Sequence, residues 1–429
     1  MSDFDVIVVG AGCAGSVAAY ELAKVGKSVL VVERGNYAGA KNMTGGRIYT
    51  HSLAQVFADF ADDAPLERRI THERISMMTP DANFTVDYSS QKMLQAGQDS
   101  YSVLRGPFDQ WLAVKAEDAG AEYIYGIAVE DLLKEGERVT GISAGEDEIT
   151  ADVVILADGV NSLLSQKAVG YARPKPSTLA VGVKQVIELG EQTITDRVLA
   201  GSASEGAAWL FAGDATHGHI GGGFMYTNRS SISLGVISTI SDLATAKTPI
   251  YQMLEDLKQH SAVAPLIAGG KVVEHSGHMV PEGGFEMMPP LAGDGVLLAG
   301  DSAMMCINLG YMVRGMDYAV AAGMHAGRSV AAALDAGDVH SGGLSRYKQA
   351  LQESFVLQDL QQFKDFPHFM ETTPAMFSTY PKMIQDVMDT MFVVDGTPVK
   401  PLRKSVMPII KGVGFGQLFK DARKGIKAL

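Results

Sequence analysis

The chain has 429 residues, 46% of them hydrophobic, with 49 acidic against 36 basic side chains and a net charge of −13. That balance suits a globular chain with a large core and argues against a general nucleic-acid binder, whose surface would be basic. Its two cysteines, Cys13 and Cys306, exclude a disulfide framework or an iron–sulfur cluster held by this chain alone, and no run of about 18 apolar residues marks a membrane span.

The length predicts two or three domains. The opening, MSDFDVIVVG, enters a strand pattern directly, with no basic region or cleavage site of an export signal. Residues 5–15, DVIVVGAGCAG, predict a buried strand that runs into Gly10-x-Gly12-x-x-Gly15 and then a helix carrying Val17, Tyr20, Leu22 and Ala23. GKSVLVVERG predicts a second buried strand ending at Glu33. In such a βαβ unit the first glycine allows the tight turn and the second lets backbone approach a pyrophosphate. The third lets helix and strand pack closely, while the helix N-terminus offers N–H groups to the phosphates. Glu33 can accept from an adenosine ribose and would repel a 2′-phosphate, so the motif points to NAD or FAD without separating them.

Further along, YSVLRGPFDQWLAVKAEDAGAE predicts an amphipathic helix with Phe108, Trp111, Leu112 and Ala116 on one side. Short strands follow, with turns at Glu135-Gly136 and Gly145-Glu146, and the last of them ends at Asp158-Gly159. From about 178 to 292 the pattern is β-rich, with a strand in RSSISLGVIS (229–238) and a helix in IYQMLEDLKQH (250–260). His217 and His219 in DATHGH have too few companions for a metal site and read as a polar loop. An apolar run, Val296–Ala299, stops at Gly300-Asp301, ahead of a Met-rich stretch and a helix. DAGDVHSGGLSRY (335–347) predicts a loop before a C-terminal helical region. Residues 400–429 hold eight Lys/Arg and one acid, Asp421, interleaved with apolar residues. Gly412, Gly414 and Gly416 argue against a strong continuous helix there. This basic segment suits packing on the chain's own acidic surface, or docking to an acidic partner or anionic lipid.

Taken in order, Gly10-x-Gly12-x-x-Gly15, Arg105-x-x-Phe108-Asp109, Asp158-Gly159 and Gly300-Asp301 resemble the FAD-dependent reductases and hydroxylases of the glutathione-reductase-like, p-hydroxybenzoate-hydroxylase-type fold. Within that group GAKNMTGGRIY (39–49), GGGFMYTN (221–228) and GDSAMMCINLGYMVRGMDYAVAAG (300–323) resemble the electron-transfer flavoprotein–quinone oxidoreductases, above all their shorter Fix-type C subunits. The resemblance implies an α/β FAD-binding Rossmann fold over 1–177 and 293–334. It also implies an inserted β-rich substrate or quinone domain over 178–292 and a helical C-terminal region with a basic tail over 335–429.

The same resemblance implies FAD contacts from Gly10, Gly12, Cys13, Ala14 and Gly15, and from Glu33 and Arg34. Lys41, Asn42, Thr44, Gly45 and Gly46 would pass beside the isoalloxazine. Arg105, the backbone of Val129, Asp158, Gly159 and Gly300 would also touch the cofactor, and Asp301 would accept from ribityl hydroxyls. Val313, Arg314 and Gly315 would lead into a helix whose N-terminal dipole faces the pyrimidine edge. Cys13 and Cys306 would lie near the cofactor as small buried residues. No catalytic side chain and no metal is assigned.

Electrons would pass between the alpha and beta subunits of an electron-transfer flavoprotein and a ferredoxin-like iron–sulfur protein or quinone, in the cytoplasm or at the inner face of the membrane. The full-length quinone oxidoreductases carry cluster-binding cysteines in a C-terminal domain. Here no cysteine follows Cys306, so the cluster is expected on a separate ferredoxin-like subunit. The rival readings are an NAD(P)H-dependent flavin hydroxylase or polyprenyl-lipid reductase of the same fold, and a flavin-carrying structural subunit of an assembly.

Overall fold

A strand buried on both faces of a sheet has no polar side to show, which is why FDVIVV and VLVVE are apolar almost throughout. They form β1 (Phe4–Val9) and β2 (Val29–Glu33), parallel neighbours with Val6 opposite Val29, joined by the helix α1 (Cys13–Ala23). The computed structural model describes residues 2–41 and 46–429. On the other side β1 pairs in parallel with Asp147–Leu156, which pairs in turn with Val296–Leu298; beyond β2 lies Glu122–Tyr125. The C-terminal ends of these strands therefore line up, and the turns that leave them share one edge, where open α/β sheets place their ligands.

The chain falls into two compact units. The first takes residues up to 67, 92–175 and 278–362, and contains the parallel sheet. Its helices pack through one apolar cluster that includes Cys13, Val17, Phe108, Leu112, Val320 and Met324. The contact between α1 and the helix Met316–Asp335 is made by glycines. A Cβ on Gly323 would lie 2.2 Å from the Ala14 carbonyl oxygen, and one on Gly327 would lie 2.6 Å from the Glu21 Cβ.

The second unit takes 68–91, 176–277 and 363–429. Leu179–Glu188, Ser231–Thr239, Gly221–Thr227 and Glu205–Gly213 lie side by side in that order, each antiparallel to the next, and Glu205–Gly213 pairs in parallel with Leu66–Met78. Trp209, Phe211, Met225 and Leu234 pack on Met253, Leu254 and Leu257 of the helix Ile250–Gln259. Arg68 is wholly buried and donates to the carbonyls of Glu191, Glu205, Asn228 and Arg229 and to Thr195 Oγ1.

Several boundaries differ from the sequence expectation. Residues 68–91 join the second unit because Leu66–Met78 is a strand of its sheet. Residues 278–292, expected at the end of the β-rich domain, cluster with the first unit; of the expected C-terminal helical region, 335–362 cluster with the first unit and 363–429 with the second. Within the second unit Gln385 Nε2 donates to Asp81 Oδ1 at 3.2 Å, and a Cβ on Gly213 would meet Pro381 at 3.1 Å. The expected loop at 335–347 is mostly helix. Met316–Asp335 runs into it, and Ser341–Glu353 starts within it, with Gly343 too close to the Asp338 carbonyl for a side chain. In the tail the helices Leu402–Val413 and Phe415–Ala428 run through Gly412 and Gly416, and only Gly414, at φ +93°, breaks them.

Candidate functional site

The turn after β1 is built from what glycine permits. Gly10 has φ +101°, and a Cβ there would lie 2.4 Å from the Ala157 carbonyl oxygen; one on Gly15 would lie 1.9 Å from the Gly10 carbonyl. Gly12 is the N-cap of α1, and the first intrahelical bond is Ser16 N–H to Gly12 O. The amides of Cys13, Ala14 and Gly15 thus precede the helical ladder and face the strand ends, as an anion-binding turn requires. Glu33 closes the turn from the neighbouring strand. Its Oε2 accepts Ala11 N–H at 2.9 Å and its Oε1 accepts Gly35 N–H at 2.6 Å. Arg34 and Lys41 are exposed. Gly46 is buried and accepts Val103 N–H. Asn42, Thr44 and Gly45 lie outside the described residues. Gly126 and Ile127 donate to the backbone of Gly35 and Glu33, and half-buried Val129 follows them.

The second "GD" turn is seated on the first helix. Gly300 has φ +65°, and a Cβ there would touch the Ala14 Cβ at 3.0 Å. Burial raises the Asp301 carboxyl to about 6, with the charge of Arg105 opposing the shift. Arg105 grips Asp109 through two hydrogen bonds of 2.9 and 2.8 Å, and the Cys13 thiol lies 3.6 Å from the same carboxylate. Burial pushes the Cys13 thiol far above its ordinary range, so it is a packing group rather than a thiolate. Asp158, at the end of Asp147–Leu156, is likewise raised to about 6 by burial, against the hydroxyls of Ser162 and Ser302.

At the far end, Gly315 caps the helix Met316–Asp335. Arg314 is held by protein groups: Nε donates to Asp317 at 2.8 Å, Nη1 to Asp359 at 2.7 Å, and Nη2 lies 3.1 Å from His51 Nε2. The guanidinium stacks over the Tyr318 and Phe355 rings at 4.7 and 4.9 Å. Val313 is exposed. The structure thus gathers Gly10–Gly15, Glu33, Arg105, Asp158, Gly300 and Asp301 around one set of strand ends, while Arg314 is committed to side chains.

Four residues absent from the sequence reading belong to this region. Ser302 follows Asp301, and a hydroxyl next to a "GD" turn was its only signal. His51 and Asp359 meet Arg314 from distant positions, and Glu282 precedes a glycine pair; none of these carries a motif.

Comparison with known proteins decides the family. The model of the ETF-QO/FixC family C-terminal domain matches residues 366–429, and that of FAD dependent oxidoreductases matches 5–179. The chain is 49% identical to the probable electron transfer flavoprotein-quinone oxidoreductase YdiS of Escherichia coli K12, over 100% of both chains. The chain belongs to the ETF-QO/FixC family. It is also 50% identical to protein FixC of Salmonella typhimurium over 99% of each chain. Among solved structures, a geranylgeranyl bacteriochlorophyll reductase-like protein from Thermoplasma acidophilum shares the fold with a TM-score of 0.73. That match covers 98% of this chain and 99% of that one at 18% identity. This family member is an FAD-dependent oxidoreductase. Among the described residues no helix is long and apolar enough to cross a membrane.

Proposed function

We propose that FAD lies along the strand ends, its pyrophosphate on the α1 turn and its ribityl chain at Asp301, and that the chain relays electrons between an electron-transfer flavoprotein and a ferredoxin-like protein or quinone. The observation that carries this reading is the seating of Gly300 on Ala14, which joins the two halves of a split motif into one long cradle. When bound, FAD supplies the redox chemistry. The chain's own task is to hold it. Glycine turns clear a path for the pyrophosphate, Glu33 takes the ribose side, and the amino end of Met316–Asp335 offers its dipole to negative charge at the ring end. With only two cysteines in the sequence, the iron–sulfur centre is assigned to a separate ferredoxin-like subunit.

The last helix supports docking at a membrane surface. Its inward side is Asp421, Gly425 and Ala428; outward it shows Phe415, Phe419 and Ile426, with Phe419 73% and Ile426 80% exposed. Lys420, Arg423 and Lys427 are exposed beside them. Apolar fingers flanked by cations suit the interface of an anionic bilayer, where the acyl boundary takes the rings and the headgroups take the charges.

The deciding experiment is to mix the purified, FAD-loaded protein anaerobically with reduced electron-transfer flavoprotein or with NADPH. Bleaching of the flavin by the first and not the second supports the relay. Bleaching by NADPH alone would favour a hydroxylase or lipid reductase, and release of a nucleotide other than FAD on denaturation would end the site assignment.

A further inference from the structure

Glu282, a residue of the first unit, comes just after the strand Lys271–Pro281, and no motif draws attention to it. Its carboxylate accepts from Asn308 Nδ2, at 3.1 Å to Oε2 and 3.4 Å to Oε1. Asn308 stands on the two-residue ladder Ile307–Asn308 with Val313–Arg314, where Ile307 opposes Arg314. That ladder leads straight into Gly315, the cap of Met316–Asp335. Cys306 precedes it, with Sγ 3.6 Å from where a Cβ on Gly315 would stand. The Cys306 thiol is raised first by burial and then by the charges of Glu282, Asp301 and Asp317. Glu282 and Asp301 therefore both act on the amino end of this helix.

The acids of this cluster have different company. Asp158 receives the Ser302 hydroxyl, Asp301 feels Arg105, and Asp317 holds Arg314 and lies 3.2 Å from His51. Glu282 has a neutral amide as its donor, and burial raises it to about 7 against that hydrogen bond. The residue as a whole is half-buried, and its carboxyl end is the buried part. A carboxyl in this condition changes protonation most readily when a nearby charge changes near neutral pH.

We propose that Glu282 is the carboxyl that exchanges a proton with solvent as electrons arrive at and leave the amino end of Met316–Asp335. A reduced flavoprotein carrier would be oxidised by two electrons, and FAD, when bound, would be the group that takes them up. One solvent proton forms an O–H bond on the Glu282 carboxylate, offsetting part of the added negative charge, and it returns to solvent when the electrons pass on. Glu282 acts here through the local charge, as a positioning residue for the redox step. The inference rests on the reading that the ring end of FAD lies at this helix terminus.

The test is the flavin midpoint potential of the FAD-loaded protein, followed across neutral pH in the native chain and in Glu282→Gln and Asn308→Ala. The native profile is expected to bend near neutrality. Glu282→Gln should lose the bend, and Asn308→Ala should move it to higher pH, because the ionised carboxyl loses its donor. A second readout needs no turnover: an infrared carboxyl band that titrates near neutrality in the native protein and is missing in Glu282→Gln. Three coincident potential profiles, or no such band, would overturn the proposal. Should Glu282→Gln fail to hold FAD, the shift in Asn308→Ala decides. If the profiles coincide while Asp301→Ala still weakens FAD binding, only the role of Glu282 fails. If Asp301→Ala leaves FAD binding unchanged, the placement of the cofactor fails instead.

Discussion

Ser302 Oγ donates to Asp158 Oδ1 at 3.0 Å and accepts Gly159 N–H at 2.8 Å, so one hydroxyl ties together two turns that are 144 positions apart at the Ser302–Asp158 bond. Ser302→Ala removes a donor from a buried carboxylate, at a cost of about 1.5–3 kcal/mol. FAD affinity is expected to fall by roughly tenfold or more, since about 1.4 kcal/mol is a factor of ten. Ser302→Thr, which keeps the hydroxyl, should retain most of it. Equilibrium FAD titration of both variants checks this, and an unchanged Ser302→Ala affinity would remove the tie from the site.

Gly323→Ala is expected to be severe, because the new Cβ would lie 2.2 Å from the Ala14 carbonyl in the turn of α1. Overpacking of this kind costs about 1–3 kcal/mol, and the backbone must move to relieve it. The melting temperature should drop, and FAD retention should drop with it. Gly416→Ala is the contrast: nothing lies within 4 Å of that Cβ, and the residue is inside a helix. It should stabilise the protein by about 0.5–1 kcal/mol.

The cage around Arg314 is specific to a planar fork. Arg314→Lys keeps the charge but cannot reach Asp317, Asp359 and His51 together or stack on Tyr318 and Phe355. Breaking a buried ion pair costs about 3 kcal/mol. Arg314→Lys should lose a large part of that in thermal unfolding, and Asp359→Asn a smaller part.

Asp158 and Asp301 are raised by burial to about 6, and Glu282 to about 7. A carboxyl raised on folding contributes stability that is complete below its unfolded value. That contribution fades as the pH climbs through the folded one. The cofactor-free protein should therefore lose melting temperature between about pH 4 and about pH 7 on account of these groups. The triple variant Asp158→Asn, Asp301→Asn, Glu282→Gln should show a flatter curve over that window in calorimetry. A curve as steep as the native one would mean that other groups control it.

Phe419→Ser with Ile426→Ser should lower co-sedimentation with phosphatidylglycerol vesicles and leave FAD content intact, because both side chains point outward. Lys420, Arg423, Lys424 and Lys427 changed to Gln should remove the salt dependence of that binding. If neither set changes vesicle binding while the charge variant slows electron transfer at low ionic strength, the tail serves an acidic protein partner instead.

What could be read in advance was what local spacing encodes. The βαβ unit around Gly10–Glu33, the strand ends at Asp158 and Gly300, and the helix beginning at Gly315 follow from apolar runs and glycines that only one geometry satisfies. What stayed hidden depends on partners far along the chain. Nothing near Leu66–Met78 tells which sheet it will join, since its partner is Glu205–Gly213. Ser-Gly-Gly at 341–343 has loop composition, yet it lies in a helix, where a side chain in place of Gly343 would strike the Asp338 carbonyl. Ser302, Glu282 and Asp359 are ordinary polar residues until folding supplies Asp158, Asn308 and Arg314.

The pairing of Val154 with Val296, and the seating of Gly323 on Ala14, also set an order of events during synthesis. When residues 147–156 leave the ribosome their outer edge has no strand to bond, and α1 has no glycine face to lie against. Both wait until the segment 179–281 has been made. An unpaired apolar edge held open that long invites association with other chains. Nascent chains stopped before residue 335 should bind chaperone and no FAD, so cofactor capture belongs to a late stage of synthesis, after Val296–Leu298 and Met316–Asp335 have emerged.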